Sequence, residues 1–183
     1  MHRKTLISMT VLFGILFLPP PQGRAEDVSF YAQQEVEKGW QAFAESDLET
    51  AFRAFRQATT INPQYAAAYY ALGHANLARN RTSAAIANFR EAIELADPPM
   101  VEAYINLGFA LTLAGRDQEG LEVYNQALAL DPMNEELHLN LSNYYCSQLN
   151  GKKAWEHIRL VRKMEGEIAE EQLEEMRSLC PEE

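Results

Sequence analysis

Apolar positions along the chain recur at helical spacing, and no stretch of useful length alternates apolar and polar residues as a half-buried strand would. The apolar stretches fall into pairs. First members are predicted near residues 30–45, 65–79, 99–114 and 134–149, and second members near 48–61, 82–96, 117–130 and 152–164. The joints within pairs are Ser46-Asp47, Asn80-Arg81, Gly115-Arg116-Asp117 and Asn150-Gly151. These residue types cap helices or adopt left-handed backbone, so each pair is predicted to be a helical hairpin. Residues 167–179 place Ile168, Leu173, Met176 and Leu179 close to one face. They predict a last amphipathic helix that covers the apolar end of the fourth hairpin.

The hairpins keep one beat. Gly39, Gly73, Gly108 and Ser142 lie at intervals of 34, 35 and 34 residues. Ala51, Ala85, Gly120 and Ala154 repeat in step, as do Phe55, Phe89, Tyr124 and Ile158, and Ala58, Ala92, Ala127 and Val161. Pro63, Pro98 and Pro132 close three of the units, because proline cannot continue a helix interior. The one extra residue falls at Asp97-Pro98-Pro99, a loop where an insertion costs little. The Gly or Ser column marks where a first helix approaches the second closely. The Ala column is the matching surface, and the large residue four positions later is expected to fill the space between neighbouring units.

Tyr69-x2-Leu72-Gly73 with Ala85-x3-Phe89-x2-Ala92 resembles the tetratricopeptide repeat (TPR), and so does Tyr104-x2-Leu107-Gly108 with Tyr124-x2-Ala127 and Asp131-Pro132. The first unit departs from that pattern at Glu35 and Lys38, and the fourth at Ser142 and Gly166, as terminal repeats do. The resemblance covers about residues 32–168. It implies an all-α, right-handed superhelix of about four hairpins with a C-terminal capping helix. The divisions expected are a signal peptide over 1–25, a repeat domain over 26–166 with units about 32–65, 66–100, 101–134 and 135–168, and a capping helix with acidic tail over 167–183.

In this family the first helices line a concave face that receives a segment of another protein. Carried over by register, the expected groove holds Val36, Trp40, Phe43, Tyr70, His74, Leu77, Ile105, Phe109 and Leu113, with Glu102, Glu136, Asn143, Cys146 and Ser147 in the same columns. Trp, Tyr and Phe are the types that anchor interfaces. Some members clamp acidic C-terminal tails with Lys, Arg and Asn. Here the corresponding places hold Val36, Trp40, Ala71, Glu102 and Asn106, of which only Asn106 is suitable. An apolar or amphipathic protein segment is therefore expected instead. The competing expectation is that the rings fill their own space, with Trp40 and Phe43 sealed by Phe30 and Tyr31, and Tyr70 packed on Phe109.

The N-terminus adds an address. His2, Arg3 and Lys4 precede the uncharged run Leu6–Leu18, three prolines, and Gly23-Arg24-Ala25. Basic start, apolar middle and small-residue exit predict a secretory signal peptide cut after Ala25, and a periplasmic or secreted chain. The alternative is an uncleaved anchor, although thirteen residues rise only about 20 Å. The chain carries 26 acidic and 16 basic residues, a net charge of −10. The first 25 residues hold Arg3, Lys4 and Arg24 and no acid, so a cut chain has 13 basic residues and a net charge of −13. That balance opposes binding to nucleic acid or anionic lipid.

Candidate chemistry is sparse. His74, His138 and His157 lack the spacing of a metal helix, and no phosphate loop, nucleophile elbow or C-x-x-C-H motif is present. No metal, cofactor, small-molecule substrate or catalytic residue is therefore expected. Glu170, Glu171, Glu174 and Glu175 lack the glycine of a calcium loop and suggest a solvated helix face, paired with the basic run Lys152, Lys153, Arg159, Arg162 and Lys163, for which a docking patch for an acidic partner is the alternative. Cys146 and Cys180, one repeat apart, form a candidate disulfide if the chain is exported, although equivalent positions on packed helices sit somewhat too far apart. The expected function is an exported scaffold, with a role in assembling envelope complexes implied by resemblance. The alternative is a module that stacks on itself head to tail.

Overall fold

Glycine at the beat positions makes the close approach of two helices possible, and the resulting hairpins set the architecture. The computed structural model describes residues 23–182 apart from Glu165. Among them run α1 (Gly23–Ala44), α2 (Leu48–Ile61), α3 (Ala66–Ala78), α4 (Thr82–Leu95), α5 (Val101–Leu113), α6 (Asp117–Leu130), α7 (Glu135–Ser147), α8 (Gly151–Lys163) and α9 (Glu170–Leu179). The described residues contain no strand. Each odd helix from α1 to α7 packs on the even helix that follows it, and each even helix from α2 to α6 packs on the next odd one. The odd helices also meet across units, α1 with α3 and α5 with α7. That closer approach makes the odd row the inner, concave side. The signal-peptide expectation falls on residues 1–22, outside those described, and its end at Ala25 lies in the first turn of α1.

A Cβ placed on Gly39, Gly73 or Gly108 would collide with the ring of Phe55, Phe89 or Tyr124 of the same hairpin. The large residue thus sits over the glycine within its own unit rather than between units, which corrects the expectation from the sequence. Gly120 plays the converse part: a Cβ there would lie 2.8 Å from Thr112 Cγ2 and 3.1 Å from the Gly108 carbonyl. In the fourth unit Ser142 and Ile158 replace the glycine and the aromatic ring, and both are fully buried. A smaller partner leaves room for a side chain.

The four joints share one geometry. Ser46, Asn80, Gly115 and Leu149 have φ of 63°, 56°, 72° and 57°. The next residue in each donates its amide back to the inner helix: Asp47 to Ala42, Arg81 to Asn76, Arg116 to Leu111 and Asn150 to Tyr145, all at 2.8–2.9 Å. These bonds satisfy carbonyls that a helix end leaves open. The fourth joint was expected to turn at Asn150-Gly151; instead Leu149 takes the left-handed position, and Asn150 caps α8 by accepting from the Lys153 amide.

The last helix covers the fourth hairpin as expected, but through different contacts. Leu173, Met176 and Cys180 are buried against Ala154, Trp155 and Ile158, with Ile168 partly buried beside them. Leu179 points outward, 63% exposed. Trp155 Nε1 donates to the Cys180 carbonyl at 2.8 Å. Among the described residues the ion pair from α8 to the C-terminal segment is Arg159–Glu182, at 2.6 Å, while Glu170 pairs with Arg177 of its own helix. Apolar burial, not charge pairing along α8, therefore seats α9.

Candidate binding groove

The inner face divides into a filled half and an open half. In the first two units Trp40 meets Phe43, Phe55 and His74 at ring-centroid distances of 5.6, 5.1 and 5.4 Å. Tyr70 meets His74 at 4.7 Å and Phe89 at 6.0 Å. Edge-to-face contacts of this kind are favourable beyond the area they bury. Trp40, Phe43, Tyr70, His74 and Leu77 are consequently only half open to solvent. The rings fill one another rather than the routes expected from the sequence: Phe30 and Tyr31 pair with each other at 5.7 Å and stay exposed, and Tyr70 packs on His74 rather than on Phe109.

Val36 and Ile105 leave the groove altogether. Val36 is 7% exposed and packs in the core with Phe55 and Ala58; Ile105 is 1% exposed, among Tyr124, Leu137 and Leu141. Both lie on the flank of an inner helix that faces neighbouring helices, where the family register alone does not separate flank from floor.

Burial holds the His74 imidazole below its usual pKa, and its Nε2 is buried without a hydrogen-bond partner. Tyr70 is pushed up to about 12 by burial and by the carboxylates of Glu136 and Glu102, against the opposing bond from Asn106. Asn106 Nδ2 donates to its hydroxyl at 3.4 Å. Both rings are therefore neutral near pH 7.

The open half begins at Phe109, 40% exposed, and Leu113, 58% exposed. They line a cavity of about 460 Å³ with Thr112, Asn143, Ser147 and Gln148. A second cavity of about 670 Å³ shares Asn143 and Ser147 and continues to Cys146, Leu149, Met176 and Leu179. The two form one trough from α5 across α7 to α9. Cys146 and Cys180 both pack around the α8–α9 cluster, and the structure records no disulfide between them.

The fold also joins two histidines that the sequence leaves apart. His138 Nδ1 and His157 Nδ1 are 2.8 Å apart, and His138 Nε2 donates to the Pro132 carbonyl at 3.1 Å. With that proton on Nε2, His138 Nδ1 is left to accept from His157 Nδ1. The His157 ring stacks on Tyr145 at 5.6 Å. No spacing within one helix signals this pair, since the rings come from α7 and α8. Among the described residues no group of three or more His, Cys, Asp or Glu is placed to hold a metal ion.

Burial lowers the His157 pKa to about 4, with His138 and Lys153 acting the same way and Glu156 opposing. The unfolded chain takes up that proton near pH 6.5, whereas the native state resists until about 4. Stability should therefore fall between about pH 6.5 and pH 4 and level off below. Partial solvent screening reduces the loss to about 1–2 kcal/mol. His74 adds to it in the same direction. Urea unfolding near pH 7 and near pH 4.5 should show a smaller loss for His157→Phe than for the parent chain. Equal losses would assign the effect to other groups.

The described residues include no helix long and apolar enough to cross a membrane. Two family models match the chain, one described as TPR repeat over residues 41–78 and one as Tetratricopeptide repeat over residues 70–135. Small glutamine-rich tetratricopeptide repeat-containing protein 2 of Mycosarcoma maydis is 31% identical over 111 residues, 61% of this chain and 31% of that protein. The chain thus spans less than a third of that relative's length. A thermophilic TPR protein of Thermus thermophilus superposes with a TM-score of 0.66 at 23% identity, over 73% of this chain and 74% of its own. The first TPR of Spaghetti (RPAP3), solved with the HSP90 peptide SRMEEVD, superposes with a TM-score of 0.62 at 20% identity, over 66% of this chain and 94% of its own. With more than half of its length matched by models of the repeat and its hairpins stacked as in those structures, the chain belongs to the tetratricopeptide repeat family.

Proposed function

We propose that the chain is a protein-binding scaffold whose concave trough between α5, α7 and α9 holds a segment of another protein. The observation that carries this reading is the exposure of Phe109 and Leu113 over a cavity continuous with the one beside α9. Apolar side chains held open on a rigid helical surface gain free energy when a partner covers them. The half-buried rings of the first two units support the surface rather than bind. Their removal would cost packing. The clamp positions still offer only Asn106 toward a carboxylate, so an acidic tail of the kind bound by Spaghetti is not the partner favoured here.

Phe109→Asp should weaken capture of the partner at least tenfold, since one anchor in an interface contributes about 2 kcal/mol or more. Its melting should change little, because the side chain already meets solvent. Pull-down from an extract of the source cells, with circular dichroism of the same variant, checks both halves. A variant that captures the same proteins as the parent would end the assignment to this trough. The N-terminal pattern of basic start, apolar run and small-residue exit supports a setting outside the cytoplasm for this scaffold, in an envelope complex. Intact mass of the chain recovered from the exported fraction tests the cut after Ala25.

A further inference from the structure

We propose that the segment seated in this trough is cationic and amphipathic, an apolar stripe flanked by Lys or Arg. This rests on the trough being the binding surface. Neither cavity is lined by Lys or Arg; their polar lining is amide and hydroxyl, with Asp117 the charged group. Asp117 stands at one rim, where Gln148 Nε2 donates to it at 3.2 Å. Glu102 and Glu136 occupy the first turns of α5 and α7, at the opposite end of the inner helices. Both are exposed, and both act on the Tyr70 hydroxyl. Glu136 also acts on Tyr124, which lines the trough. Among the described residues none of these three carboxylates has an ion-pair partner. Nearby cations are already engaged: Arg116 holds Glu119 through two bonds of 2.7 and 2.5 Å, and Arg177 holds Glu170.

Leu149 is a second, independent sign. It is 86% exposed at a φ of 57°, where the other three joints carry Ser, Asn and Gly. A γ-branched apolar residue gains nothing for the fold in that conformation. It does extend the apolar edge of the trough beside Leu179. An unfavourable backbone that presents a side chain to solvent points to a use outside folding.

Two labelled peptides of about five helical turns test this, sharing one Leu/Phe stripe but carrying Lys or Glu on the polar face. Fluorescence anisotropy with the full chain should show the Lys peptide bound at least tenfold more tightly at low salt, with the gap narrowing as salt rises. Combining Glu102→Gln, Glu136→Gln and Asp117→Asn should remove that preference, weakening the Lys peptide and, by relieving like-charge repulsion, tightening the Glu peptide. Leu149→Asn should weaken both peptides while raising the melting temperature. Equal binding of the two peptides, lost in Phe109→Asp, would overturn the cationic partner and keep the trough. Binding of neither peptide, or Lys-peptide binding indifferent to Phe109→Asp, would overturn both readings. Dimerisation abolished by Phe109→Asp would make a second copy the occupant and likewise refute the proposal.

Discussion

Gly73→Ala should destabilise the chain by about 1–3 kcal/mol, the usual cost of forcing an extra methyl into a packed interior. The expected sign is opposite to that of helix propensity, which favours Ala over Gly by about 0.5–1 kcal/mol inside a helix. Overpacking wins because the new Cβ would lie 2.7 Å from Phe89 Cδ1 and 2.8 Å from its Cζ. The Phe89 ring cannot yield cheaply: it is fully buried and held between Tyr70 and His74. The chain itself supplies the rescue, because Ser142 stands opposite Ile158 in the same columns of the fourth unit. Phe89→Ile should therefore cost less in the Gly73→Ala background than alone, with a coupling of about 1 kcal/mol or more. Urea unfolding of the two single variants and the double variant measures it. Strict additivity would mean that the glycine is not there to seat the ring.

Trp155→Ala should cost about 3–5 kcal/mol, the range for deleting a large buried ring. The loss has two parts that a second variant separates. Trp155→Phe keeps most of the packing on Leu173 and Met176 but removes the donor to the Cys180 carbonyl, for about 1–3 kcal/mol. The damage should also be local. Repeats contact mainly their neighbours, so the end of the array can open while the rest stays folded. Hydrogen exchange should show α8 and α9 losing protection first, with α1–α4 unchanged. Uniform loss across all helices would show instead that the array unfolds as one unit. Gly151 belongs to the same seat, since a Cβ there would run into the Pro181 carbonyl where the tail crosses the start of α8.

Much of this was legible along the chain. The beat of Gly39, Gly73, Gly108 and Ser142 determined the repeat, and the hairpin boundaries followed from the polar joints to within a few residues, except that α1 begins at Gly23, seven residues before its expected start. Periodicity works here because each hairpin must present the same small and large residues to bury the same faces. Leu173 and Met176 were likewise marked by spacing as the buried side of α9. What spacing left out is which contact each residue makes. Only the folded structure put Phe55 over Gly39 within one hairpin, turned Ile105 into the core, brought His138 to His157, and left Leu149 standing in solvent. Helical period fixes a residue's direction around its own axis. Whether that direction meets a neighbour or open water depends on how the next helix crosses it, and that is settled by packing among residues far apart in the chain.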